Sequence, residues 1–225
     1  MLIHGGSWRA RYGKWLMRGL AADLPRRGWG VWNVEYRQVG ERSGGGGGWP
    51  ATFADVAAGV DALADAGPDV DLSRVAVIGH SAGGQLALWA AGPRRLGPGP
   101  PPRMRFRGVV SQAGVAAMAE AHAGDRDGSV DAVMGGGPDE VPERYDAVDP
   151  VGQVPLGAPI LLVHGTEDTT VSIRRSRTFA AAARAAGDEV DLVELPGGAG
   201  GHARHLDPGG EAWAVVVRWL EARGV

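Results

Sequence analysis

At 225 residues, with 44% hydrophobic and 22% charged side chains, the chain has the composition of a folded domain and length enough for one large core. A net charge of −3 with scattered arginines leaves no basic stripe to neutralise phosphates, which excludes a nucleic-acid partner. The absence of cysteine excludes disulfides and thiolate metal sites; the apolar runs are too short to span a membrane, and with no leader-like segment at Met1 the expected location is cytoplasmic.

In chain order, a scrap of apolar strand at 2–4 runs straight into His4-Gly5-Gly6-Ser7-Trp8. A second strand is predicted at 31–36. The five glycines of 44–48, followed by Trp49-Pro50, and the proline-rich stretch 98–102 read as flexible surface loops, because neither joins a strand to a helix as a phosphate cradle must. Phe53, Val56, Val60 and Leu63 recur at helical spacing and predict a helix over 52–66, with Thr52 as N-cap and Asp55 closing a capping box.

Apolar strands follow at 75–79 and 108–111, the first leading into a helix that opens at Ala82. Residues 113–158 are irregular, with helical patches at 115–123 and 142–146, and read as an insertion covering one edge of the sheet as a partial cap. Strands at 160–164 and 190–195 bracket a helix over 172–186 closed by Gly187. Asp207-Pro208 is expected to cap a last helix whose stripe is Trp213, Val216, Val217 and Leu220. Short buried-type strands alternating with helices predict an α/β fold, a mostly parallel sheet flanked by helices, as a single domain over 1–225.

The chemistry concentrates at Gly79-His80-Ser81-Ala82-Gly83, a G-x-S-x-G between an apolar strand and a helix. That context makes it a nucleophile elbow: serine at a sharp strand-to-helix turn, with glycines where side chains would collide. Serine alone is a poor nucleophile and needs a base oriented by a carboxylate. Beyond the strand at 160–164 come Glu167 and Asp168; beyond the strand at 190–195 a glycine-rich loop presents His202 and His205. Each group follows a strand's C-terminal end, where open parallel sheets place their sites. The pair His202-x-x-His205 lacks a third ligand at persuasive spacing, so no metal site is expected.

Taken together, His4-Gly-Gly-Ser-Trp8, Glu35-Tyr-Arg37, Trp49-Pro50, the elbow, His164-Gly-x-x-Asp168 and Gly201-His202 before Asp207-Pro208 resemble the α/β-hydrolase superfamily across the whole chain. The closer likeness is to small esterases of the hormone-sensitive-lipase, acetylxylan-esterase-like and kynurenine-formamidase-like kind. The resemblance implies a catalytic triad of Ser81, Asp168 and His202, with Glu167 a solvated neighbour. It also implies an oxyanion hole from the amides of Gly6, Ser7 and Ala82, His4 bracing that loop, and Trp8 either walling the substrate pocket or simply packing. His80 and His164 are expected to be structural hydrogen-bonding residues, His205 a surface or capping residue, and Asp207 an N-cap; His122 has no evident partner.

The implied activity is cofactor-free hydrolysis of a small-molecule carboxylic ester. The rivals are an arylformamidase cleaving a formyl amide, a peptidase of the prolyl-oligopeptidase type, and a truncated, non-catalytic binding module. The sequence leaves the oligomeric state open, a homo-oligomer included. Relatives of this kind carry more strand ahead of the oxyanion loop than residues 1–3 supply, so the expectation is either a start placed late in the sequence or a loosely held loop.

Overall fold

The computed structural model describes residues 1–40, 45–93, 102–125 and 127–225. Six strands form one sheet: β1 (Leu2–Ile3), β2 (Asn33–Val34), β3 (Ala76–His80), β4 (Gly108–Gln112), β5 (Ile160–Gly165) and β6 (Val190–Leu195). Their order across the sheet is β2-β1-β3-β4-β5-β6 and every pairing is parallel. All six occur where the sequence predicts them. β1, β3, β4 and β5 are buried on both faces because helices cover both.

Side-chain alternation divides the core in two. Ile3, Val77, Val109 and Leu162 face one layer with α2 (Ala51–Ala64), α3 (Ala82–Ala91) and Phe179 of α7 (Arg174–Ala185). Leu2, Ile78, Val110 and Leu161 face the other, with Leu20 and Leu24 of α1 (Arg18–Arg26) and the Trp213, Val216, Val217, Leu220 stripe of α8 (Glu211–Ala222). α1 is not evident in the sequence, since its buried apolar signal is only Leu20 and Leu24 and it holds Pro25.

Residues 113–158 hold three short helices, α4 (Met118–Ala123), α5 (Ser129–Met134) and α6 (Pro142–Val148). They stack on the α3 layer rather than along a sheet edge. Trp89 Nε1 donates to the Ala147 carbonyl at 3.1 Å and Gln85 Nε2 to that of Val148 at 3.0 Å, so buried polar atoms of α3 are satisfied by this segment. Its far end meets the loop after β1, where the Arg9 guanidinium donates to the Asp127 carbonyl.

Both expected N-caps are corrected. Pro50 precedes α2 without a side-chain cap; Thr52 is turned to the loop, donating to the Arg37 carbonyl at 2.6 Å and accepting from the Gly48 amide at 2.9 Å. Asp55 is taken by Arg37, with both guanidinium bonds at 2.8 Å. Asp207 instead closes a turn onto the Gly209 amide, three residues before Gly210, the residue that precedes α8.

Glycines 45–48, the described part of the predicted flexible run, are tied in: Gly47 donates to the Gln38 carbonyl at 2.9 Å and Gly48 is buried. Residue 44 and most of 98–102 lie outside the described residues.

Candidate active site

Ser81 stands between β3 and α3 with φ 56 and ψ −121, a conformation most residues avoid. Its amide donates to the Gln112 carbonyl at 2.9 Å, and its own carbonyl accepts from Gly84 at 2.9 Å, so the turn is pinned from both sides. The flanking glycines are there for contact. A Cβ on Gly79 would run into the backbone of Gly83, and a Cβ on Gly83 into the carbonyls of Ile3 and His4. The first amides of α3, unpaired within the helix, point their positive end of the dipole toward the elbow.

From Ser81 an unbroken hydrogen-bond chain runs inward. Ser81 Oγ lies 3.0 Å from His202 Nε2, and His202 Nδ1 lies 2.8 Å from Asp168 Oδ2. With Nδ1 facing a carboxylate, Nδ1 carries the proton and Nε2 is free to accept the serine hydroxyl proton. Asp168 Oδ1 accepts from the amides of Thr170 at 2.8 Å and Val171 at 3.0 Å, and its side chain is fully buried. Burial alone would raise this carboxyl's pKa; the bond from His202 and the two amides outweigh it and hold it below the ordinary carboxylate value. Asp168 is therefore anionic at neutral pH.

The loop after β1 abuts this chain. Gly5 packs so closely that a Cβ there would strike the His80 carbonyl and Ser81 Cβ. Gly6, Ser7 and Trp8 have φ of 110, 53 and 54, three left-handed residues in succession. Among the described residues none accepts a hydrogen bond from the amides of Gly6 or Ser7. His4 braces the loop: its Nε2 lies 2.7 Å from Glu35 Oε1, its ring stacks on Tyr36 at 4.2 Å, and the Tyr36 hydroxyl donates to the His4 carbonyl at 2.9 Å.

Glu35 also accepts from Gln38 Nε2 at 2.6 Å and from the Lys14 amide at 2.9 Å. Burial would raise its carboxyl, and the His4 and Lys14 bonds bring it below the usual value. The loosely held loop anticipated from the sequence is thus not what forms: residues 2–4 are fully buried and the strand pairs on both sides.

The structure brings Ser81, His202 and Asp168 together at the C-terminal ends of β3, β6 and β5; Ala82 follows Ser81 in the chain, and Gly6 and Ser7 follow Gly5, which lies against Ser81. Glu167 is exposed, as expected. Trp8 is 1% exposed and joins the core, so it presents almost no surface to a substrate. His164 is structural, with Nε2 donating to the Val171 carbonyl at 2.8 Å and Nδ1 accepting from Ser176 Oγ at 2.7 Å. His122 finds a partner in Asp131 at 2.6 Å.

The surface or capping role expected for His205 is corrected. Its ring is fully buried, 6.2 Å from that of His80. Nothing in the sequence marks Gln38 or Gln112, because isolated polar residues carry no periodic signal and their contacts depend on segments distant in sequence.

Comparison with known proteins bears on the family and the fold. A family model, the prolyl oligopeptidase family, matches residues 27–221, leaving out the loop at 4–8. Among solved structures, a truncated form of a carbohydrate esterase from gut microbiota superposes with a TM-score of 0.81 at 22% identity, covering 99% of this chain and 84% of that one. Esterase B from Lactobacillus rhamnosis, inhibited by a tributyrin phosphonate, gives 0.81 at 22% identity, covering 99% and 74%. An esterase from Thermogutta terrifontis gives 0.68 at 20%, covering 98% and 78%. At these identities the likeness is one of fold, and it is the α/β-hydrolase fold. No curated protein gave a significant match.

Proposed function

The chain belongs to the prolyl oligopeptidase family and is a serine hydrolase, and from that premise we propose that it cleaves small carboxylic esters through Ser81, His202 and Asp168, working as one domain over residues 1–225. The observation that carries this reading is the continuous chain from Ser81 Oγ through His202 to Asp168, at 3.0 and 2.8 Å.

In the proposed reaction Ser81 Oγ attacks the ester carbonyl while His202 Nε2 takes its proton. The proton is then delivered to the leaving alcohol, and water repeats the sequence on the acyl-enzyme. Asp168, fixed by two amides, holds the imidazole with Nδ1 protonated and stabilises its charged form. The amides of Gly6, Ser7 and Ala82 receive the oxyanion; one such donor is typically worth about 3 kcal/mol in the transition state. Gly5 lets this loop lie against Ser81 without a side chain intervening.

Ester rather than amide substrates are favoured by the structural neighbours, whose names describe a carbohydrate esterase, an acetyl ester-xyloside bifunctional hydrolase and an esterase B inhibited by a tributyrin phosphonate. The family match favours a second reading, peptidase activity on short proline-containing peptides. A panel of p-nitrophenyl acetate and butyrate, N-formylkynurenine and a prolyl p-nitroanilide separates them by kcat/KM. The ester reading expects the short esters to lead by at least about tenfold, the margin of about 1.4 kcal/mol in transition-state binding. A larger kcat/KM for the anilide or the formyl amide overturns it.

A further inference from the structure

His202 opens a short 3-10 turn, His202–Leu206, whose own backbone bonds include that of the Arg204 amide to the Gly201 carbonyl at 2.7 Å. It follows Gly197, Gly198, Gly200 and Gly201, residues with the greatest backbone freedom to lose. Two buried side chains from strand ends reach across to it. His80, the last residue of β3, donates from Nε2 to the His202 carbonyl at 3.0 Å, and Gln112, the last of β4, donates from Nε2 to the His205 carbonyl at 3.1 Å. Neither contact belongs to the proton-transfer chain.

His80 occupies a singular place. It immediately precedes Ser81, its ring lies 4.8 Å from the His202 ring, and a Cβ on Gly5 of the oxyanion loop would press on its Nδ1. One imidazole thus adjoins the backbones bearing nucleophile, base and oxyanion donors. We infer that His80 is a positioning residue, its Nε2–H latching the His202 carbonyl and thereby setting the distance between His202 Nε2 and Ser81 Oγ. The inference rests on the triad reading above.

Because a carbonyl accepts from Nε2, that nitrogen carries the proton, and Nδ1 is left buried without a hydrogen-bond partner among the described residues. Burial first, and then the neighbouring imidazoles of His202 and His205, push the His80 pKa down to about 3. The latch therefore stays neutral while His202 gains and loses its proton, and adds no charge opposing the imidazolium that forms there.

The test replaces the donor and keeps the space. His80→Gln places an amide N–H at the reach of Nε2, whereas His80→Phe and His80→Met fill the site without one. With a p-nitrophenyl ester, the donor-less variants are expected to lose about 10- to 100-fold in kcat with KM within about twofold, as a misplacement of up to 1 Å produces. Labelling of Ser81 by a fluorophosphonate should slow in parallel, and thermal unfolding by circular dichroism gates every comparison to folded protein.

His80→Gln is expected to recover most of the rate. The acid limb of the kcat/KM profile should keep its midpoint in all three variants, since His80 does not titrate there. A folded Phe or Met variant within twofold of wild type overturns the inference, as does a Gln variant no better than Phe. Full activity in Ser81→Ala would instead overturn the triad reading itself, so the two failures are distinguishable.

Discussion

Ser81 is held at φ 56, a conformation that costs a non-glycine residue about 1 to 3 kcal/mol. The surrounding hydrogen bonds to Gln112, Gly84 and Val115 enforce it. Removing the side chain relieves the strain and the chemistry together: Ser81→Gly is expected to raise Tm by a few degrees, about 1 kcal/mol after the entropy of glycine is subtracted, while abolishing ester hydrolysis. Calorimetry beside an activity assay checks this; a Tm below wild type contradicts the strain argument.

The buried histidines make a pH prediction at the same scale. Burial lowers His80 from 6.5 to about 3 and His205 from 6.5 to about 4. Between these values and 6.5 the unfolded chain binds more protons than the folded one, so stability rises with pH there and is lost as pH falls. Tm is therefore expected to decline steadily from pH 6.5 to 4, ahead of the carboxylates. A flat Tm between 6.5 and 4.5 would show that these rings are not held neutral.

Among the elements, the junction of β3 and α3 is the most constrained. Gly83 lies against the Ile3 and His4 carbonyls, which ties the first turn of α3 to β1 and the loop that follows it. Gly83→Ala is expected to cost about 1 to 3 kcal/mol as an overpacked contact and to lower kcat by displacing that loop. Denaturant unfolding with kinetics tests it; an unchanged midpoint and kcat would refute the close approach.

This junction was legible in the sequence because its demands are local: an apolar run, then small residues at fixed offsets around one serine. Asp168 and His202 were legible because each follows the C-terminal end of a predicted strand, although singling them out from Glu167 and His205 took the family likeness. The caps of α2 and α8 were misread because Arg37 competes for Asp55 and a tight turn competes for Asp207, both tertiary outcomes. The buried state of His205 was invisible for the same reason.

At the scale of the molecule, the parallel sheet gathers the C-terminal ends of β1, β3, β5 and β6 and so assembles groups drawn from residues 4 to 202. Both faces are sealed by helices, α1 and α8 on one, α2, α3, α7 and the segment 113–158 on the other. That segment meets the loop after β1 through Arg9 and Asp127, with charged atoms 3.8 Å apart. It is expected to affect substrate choice more than chemistry: Arg9→Ala should change the ratio of butyrate to acetate kcat/KM while fluorophosphonate labelling of Ser81 proceeds near the wild-type rate. An unaltered ratio would remove the segment from substrate selection. Among the described residues no helix is long and apolar enough to cross a membrane.

The central claim is that Ser81, His202 and Asp168 form one working nucleophile, and it is tested most directly by covalent labelling with a fluorophosphonate followed by peptide mass mapping. The account predicts one label per chain, on Ser81, none in Ser81→Ala, and labelling slowed at least about 100-fold in His202→Ala, in keeping with the loss of a general base. A folded wild-type protein that takes no label, or takes it at another residue, would contradict it.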